Sequence, residues 1–150
     1  MADIVSPERR SKNMSAIKSK DTKPEIYFRK KLFSLGYRYR KHNPKIYGHP
    51  DIYIAGKRTA VFINGCFWHR HQNCKFAYVP KSRIEFWDNK FEANMQRDVT
   101  VRKELFSQSI KCLVVWECTI KHMLKDKAFE EKIIQQTVNF LNSDEMYQQL

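Results

Sequence analysis

Regular apolar spacing first appears after residue 22. TKPE, residues 22–25, has the Thr-x-x-Glu spacing of a capping box, with Pro24 tolerated in the first turn. A helix is predicted through IYFRKKLFSL, stopping at Gly36, the residue type that most readily follows a helix C-terminus. Tyr37 and Tyr39 alternate with Arg38 and Arg40, which predicts a strand. The turn-prone HNPKIYGHP leads into DIYI, and Gly56 and Lys57 turn the chain into RTAVFIN, whose AVFI core reads as a buried strand. Residues 62–80 form a loop bearing cysteine and histidine. A long helix is predicted within 83–108, where Phe91, Met95, Val99 and Phe106 lie near helical spacing. KCLVVWE, apolar between charged ends, reads as a central strand. Phe129, Ile133, Ile134, Val138 and Leu141 mark a last helix over about 125–141.

This order (helix, β-rich middle, helix, strand, helix) predicts an α/β chain with one mixed sheet and helices on its faces. Without repeats, linkers or low-complexity tracts, residues 1–150 read as a single domain. Residues 1–20 are polar and basic around the isolated apolar Met14 and Ile17, and read as an arm outside the core.

Charge narrows the partner. Lys and Arg number 28 against 16 Asp and Glu, a net charge of +12. Such an excess captures polyanions, chiefly through counterion release from phosphates, so nucleic acid is the expected partner. The longest apolar runs fall short of a membrane span, no cationic amphipathic helix stands out, and the N-terminal MADIVSPERRSKNM lacks the apolar core of a secretory signal. A cytoplasmic protein without a membrane partner is expected. In a reducing compartment, clustered cysteines with a nearby histidine bind metal more often than they form disulfides.

The stretch FINGCFWHRHQNCKF, residues 62–76, holds such a cluster. Cys66, His71 and Cys74 form a C-x4-H-x2-C pattern, and zinc favours four thiolate or imidazole donors in a tetrahedron. The fourth donor is Cys112 or Cys118. Cys112 lies inside an apolar strand and suits core filling, so Cys118, just past the strand end, is preferred. Four protein donors imply a closed, structural site. If a bend separates them, His71 faces the metal while His69 remains available as an acid or base; spacing alone gives His69 no more weight than a surface histidine. Asp51 follows Pro50 at the mouth of a strand, a suitable carboxylate for Mg2+. Asp98 sits one helical turn after Asn94, and spacing alone does not single it out.

The segments RSKNMSAIKSKDT, GHPDIYI, VFINGCFWHRH, EFW, NMQRD and VVWEC, in this order and at these separations, resemble the very short patch repair (Vsr) endonucleases, a family of bacterial mismatch nicking enzymes. The resemblance covers roughly residues 8–120; the last thirty residues carry no motif. It implies a restriction-endonuclease-like fold, a structural zinc, and Mg2+-dependent nicking of double-stranded DNA 5′ to the thymine of a T:G mismatch, the product of 5-methylcytosine deamination. Carried over by position, Asp51 is the Mg2+ carboxylate and the Ile63 carbonyl a further Mg2+ ligand. His69 is the catalytic imidazole with Asp98 as partner, and Cys66, His71, Cys74 and Cys118 hold zinc. Phe67, Trp68 and Met14 wedge into the base stack, with Lys12, Asn13, Asn94 and Arg97 as further DNA contacts. The chain departs from the family pattern at Ile63, where Thr is usual, and at Asn64, which replaces a His. A monomer assisted by mismatch-repair proteins is expected. Two other readings use part of the pattern: a restriction-type or structure-selective endonuclease on paired DNA, and a zinc-stabilised DNA-binding module without chemistry.

Overall fold

The computed structural model describes residues 20–150, so Lys12, Asn13 and Met14 lie outside the described residues. Helix α1 (Lys23–Ser34) starts where the Thr22 hydroxyl accepts the Glu25 N–H at 3.3 Å. Glu25 does not return that bond to Thr22; its Oε2 accepts the Asp21 N–H at 2.6 Å and the side chain turns inward. At the other end Gly36 takes φ +95°, and the N–H groups of Gly36 and Tyr37 close onto the carbonyls of Phe33 and Leu32.

One mixed sheet follows, in the order β1 (Arg40–Lys41), β2 (Ile52–Ile54), β3 (Thr59–Asn64), β4 (Lys111–Trp116), β5 (Tyr147–Gln149). β1, β2 and β3 pair antiparallel, whereas β3, β4 and β5 pair parallel. Parallel neighbours need crossovers, and here they are helical. α2 (Ile84–Ser107) joins β3 to β4, and α3 (Glu117–Lys125) with α4 (Lys127–Leu141) joins β4 to β5. The period of two sorts the strands between two cores. Val61, Leu113 and Val115 pack under α1, α3 and α4 against Phe28, Leu32, Ile120, Met123, Ile133 and Phe140. Ala60, Cys112, Val114 and Trp116 face Leu105 of α2. β4 is buried along its whole length, which explains why its sequence shows no alternation.

The structure departs from the periodic reading in four places. The strand expected at Tyr37–Arg40 is confined to Arg40–Lys41, because its partner β2 has only three residues and Tyr37 is engaged in the helix cap. Residues 117–125 form a helix of their own, ended by Asp126, whose carboxylate caps α4 through the Phe129 N–H at 3.1 Å. β5 is a strand the pattern does not reveal; it is short, polar and half-exposed, held by backbone bonds such as Leu150 N–H to the Val114 carbonyl at 2.9 Å. On α2, Phe91 of the expected stripe is buried, but Met95, Val99 and Phe106 are exposed, and the inward face continues from Phe91 through Asn94, Asp98, Val101 and Leu105. Among the described residues, no helix is long and apolar enough to cross a membrane.

The turn before β2 is pressed against α2 at Gly48, which takes φ +84°; a Cβ there would stand 2.6 Å from Val101 Cγ1. Gly48→Ala should therefore cost about 1–3 kcal/mol of unfolding free energy through backbone strain and overpacking, measurable by urea denaturation.

Candidate functional site

Strands β3 and β4 end together, with Asn64 paired to Trp116. Two residues beyond each end come Cys66 and Cys118, so parallel pairing alone brings these two thiols to the same corner. Cys112, paired with Ala60, lies toward the opposite end of β4. The loop after Cys66 folds back through the His71 N–H to the Cys66 carbonyl at 3.0 Å. Donor atoms of Cys66, His71, Cys74 and Cys118 then all lie within 4.8 Å of one another. Cys118 Sγ stands 3.4 Å from His71 Nδ1; a tetrahedral zinc would set sulfur and nitrogen about 3.5 Å apart. The donor set and its spacing fit a zinc ion.

Other contacts hold this corner. Cys118, in the first turn of α3, donates its N–H to Cys66 Sγ at 3.4 Å. The His71 ring stacks on Trp116 at 4.1 Å and 8°, and Trp116 Nε1 donates to Gln149 Oε1 at 2.9 Å. Burial pushes the Cys66 thiol up to about 12 and lifts Cys118 as well. Burial acts the same way on Cys74, but the N–H groups of Phe76 and Ala77 and the neighbouring thiols outweigh it and bring that thiol down. A bound divalent cation favours thiolate at all three.

Arg70, between His69 and His71, takes φ +53°. That left-handed residue is the bend that sends His71 to the thiols and His69 toward α2. Two residues of α2 one turn apart receive the loop: Asn94 Nδ2 donates to the Trp68 carbonyl at 3.1 Å, and Asp98 Oδ2 meets His69 Nδ1 at 2.7 Å. An ionised carboxylate only accepts, so against it Nδ1–H is the donor, and in the neutral ring of that tautomer Nε2 is an acceptor. Asp51 reaches the same region because β2 runs antiparallel to β3; its Oδ2 accepts the Ile63 N–H at 2.7 Å. Asp51, Ile63, Asn64, His69, Arg97 and Asp98 line one cleft of about 770 Å³.

Glu25, which the sequence marks only as a capping residue, lies against Asp51. It is 2% exposed, pairs with Arg29 at 3.0 Å and lies 3.4 Å from His42 Nε2. Burial raises the Asp51 pKa to about 7; the Ile63 N–H opposes the rise and the Glu25 carboxyl adds to it. A buried carboxyl (Glu25) against a half-buried one (Asp51) forms an oxygen-rich donor set suited to a hard divalent cation.

Phe67 and Trp68 are half-buried in an aromatic cluster. Phe67 lies 5.4 Å from Trp68, 4.9 Å from Tyr78, 5.4 Å from Trp87 and 5.1 Å from Phe91, and Trp68 lies 5.6 Å from Trp87. Trp87 is a member that spacing does not single out. Tyr78, Val79 and Phe86 around the cluster are exposed.

A family model described as DNA mismatch endonuclease Vsr matches residues 2–75. The type II nicking enzyme V.NmeAIP of Neisseria meningitidis serogroup A is 44% identical over 122 residues, 81% of this chain and 86% of that relative. The type II nicking enzyme V.XorIIP of Xanthomonas oryzae pv. oryzae is 41% identical over 123 residues, 82% of this chain and 90% of that relative. The DNA mismatch endonuclease Vsr of Escherichia coli K12 is 36% identical over 135 residues, 89% of this chain and 86% of that relative. The chain belongs to the Vsr family. The span matched by the Vsr model contains Glu25, Asp51, Ile63, His69 and three of the four donors of the cysteine–histidine cluster, while Asp98 and Cys118 come from later elements.

The raised Asp51 pKa has a stability consequence. Folding favours its protonated form, so the stabilisation is full below about pH 4 and is lost as pH rises through about 7. Without added divalent ion, Asp51→Asn should be more stable than wild type above that range, by a few kcal/mol, with the gain vanishing near pH 4. Urea titrations across this range measure it.

Proposed function

We propose that the chain is a DNA mismatch endonuclease that nicks one strand of duplex DNA 5′ to the thymine of a T:G pair by Mg2+-dependent hydrolysis. The observation that carries this reading is the convergence of Asp51 and the His69–Asp98 pair on one cleft. The names of the relatives support it, two as nicking enzymes and one as a mismatch endonuclease. The net charge of +12 suits a DNA partner. The mixed sheet with flanking helices is consistent with a restriction-endonuclease-like single domain, acting as a cytoplasmic monomer with mismatch-repair proteins as assistants.

Asp51 and the Ile63 carbonyl would hold Mg2+, with Glu25 as a second carboxylate beside them. When bound, the ion supplies charge stabilisation at the scissile phosphate. His69 Nε2 takes a proton from the attacking water. Asp98 fixes the ring through Nδ1 and stabilises the imidazolium that results. Cys66, His71, Cys74 and Cys118 hold a structural zinc, which pins the loop presenting both His69 and the aromatic residues. Phe67 and Trp68, joined by Met14 of the arm, enter the base stack beside the mismatch, where unstacking is cheapest. Packing against Trp87 gives those rings a rigid backing. Arg97 at the cleft, with Lys12 and Asn13, contacts the duplex, and Asn94 serves it by holding the Trp68 carbonyl.

Nicking assays on T:G and T:A duplexes test this proposal. Asp51→Ala and His69→Ala should each lower the T:G nicking rate by a factor of about 10² to 10⁴ or more while binding to the mismatched duplex is largely kept. Equal cutting of T:A would replace the mismatch reading with a restriction-type one. Separately, one equivalent of zinc should accompany the wild type and be lost in Cys74→Ser and Cys118→Ser; a near-zero content in all three would remove the zinc.

A further inference from the structure

Asp98 and Arg102 lie one turn apart on α2, the spacing at which an acid and a base ordinarily pair along a helix. They do not pair. Asp98 is taken by His69, and the Arg102 guanidinium sits 4.3 Å above the ring of Tyr147 on β5. No carboxylate among the described residues forms an ion pair with Arg102. Both Arg102 and Tyr147 line the cleft that holds Asp51 and His69. Tyr147 is held there by the sheet, because it pairs with Cys112 and packs against the core under α2. Arg70, another cation of this cleft, is already spent on the carbonyls of Phe67, Ala77 and Tyr78. Arg102 is thus a cation held by an aromatic face, with its donors left over for an anion.

We propose that Arg102 clamps a non-scissile backbone phosphodiester of the DNA beside the Asp51–His69 centre, with Tyr147 as its positioning residue. This deepens the DNA-nicking reading and rests on it. It also gives the C-terminal strand a part in substrate binding. The clamp reads charge and not base, so it adds affinity equally to matched and mismatched duplexes.

The test is equilibrium binding of the full chain to a duplex with one T:G pair and to its T:A counterpart, without Mg2+, over about 50 to 200 mM KCl. Arg102→Gln should make the slope of log affinity against log salt shallower by about 0.9, the value of one phosphate contact, and weaken both duplexes by the same factor. Arg102→Lys should keep the wild-type slope. Tyr147→Phe, which retains the ring, should also keep it, whereas Tyr147→Leu should flatten it. A wild-type slope in Arg102→Gln, or a shifted T:G to T:A ratio, overturns the clamp; a wild-type slope in Tyr147→Leu removes Tyr147 from it. Wild-type protein that binds neither duplex overturns the nuclease reading itself.

Discussion

The parallel pairing of β3 with β4 runs in register from Thr59 and Lys111 to Asn64 and Trp116, and the candidate chemistry begins where that pairing ends. Because both strands stop level, the residues just past them are brought together by backbone hydrogen bonds and not by side-chain attraction. Cys66 and Cys118 meet for that reason, though 52 residues separate them. The antiparallel neighbour β2 begins at the same edge, which delivers Asp51 to the Ile63 N–H. A slip of one residue between β3 and β4 would invert every side chain on β4 and part the two thiols together. The buried run from Lys111 to Trp116 guards against such a slip, since both of its faces are packed.

Much of the fold could be read from the chain, and the exceptions share a cause. α1 and α4 bury apolar residues at the helical period, and β3 and β4 are short apolar runs buried in the sheet, so their patterns are visible. On α2 the signal misleads, because two inward positions are given to Asn94 and Asp98, and the regular apolar residues Met95 and Val99 face out. β5 has no signal, since an edge strand of Tyr-Gln-Gln is stabilised by the backbone of its neighbour. Within the site, the C-x4-H-x2-C spacing gives three clustered donors directly. It gives neither the burial of Glu25 against Asp51 nor the stacking of His71 on Trp116, both of which depend on elements distant in sequence.

The polar stripe of α2 also explains how the parts of the site are coupled. Asn94, Asp98 and Arg102 follow one another at successive turns, and each is committed to a different partner: the Trp68 carbonyl, the His69 ring and the Tyr147 ring. For a helix of 24 residues, α2 buries little of its own, with only Phe91 and Leu105 among its buried side chains. Its seating therefore depends on polar contacts with a loop, and polar contacts hold position only where their partner is itself fixed. The residue that turns that loop, Arg70, is a non-glycine at φ +53°, an unfavourable conformation that persists only when its surroundings impose it. The cysteine–histidine cluster on one side and α2 on the other impose it together. The aromatic rings and the imidazole are consequently held by one shared constraint, and loosening either side of the bend would loosen both.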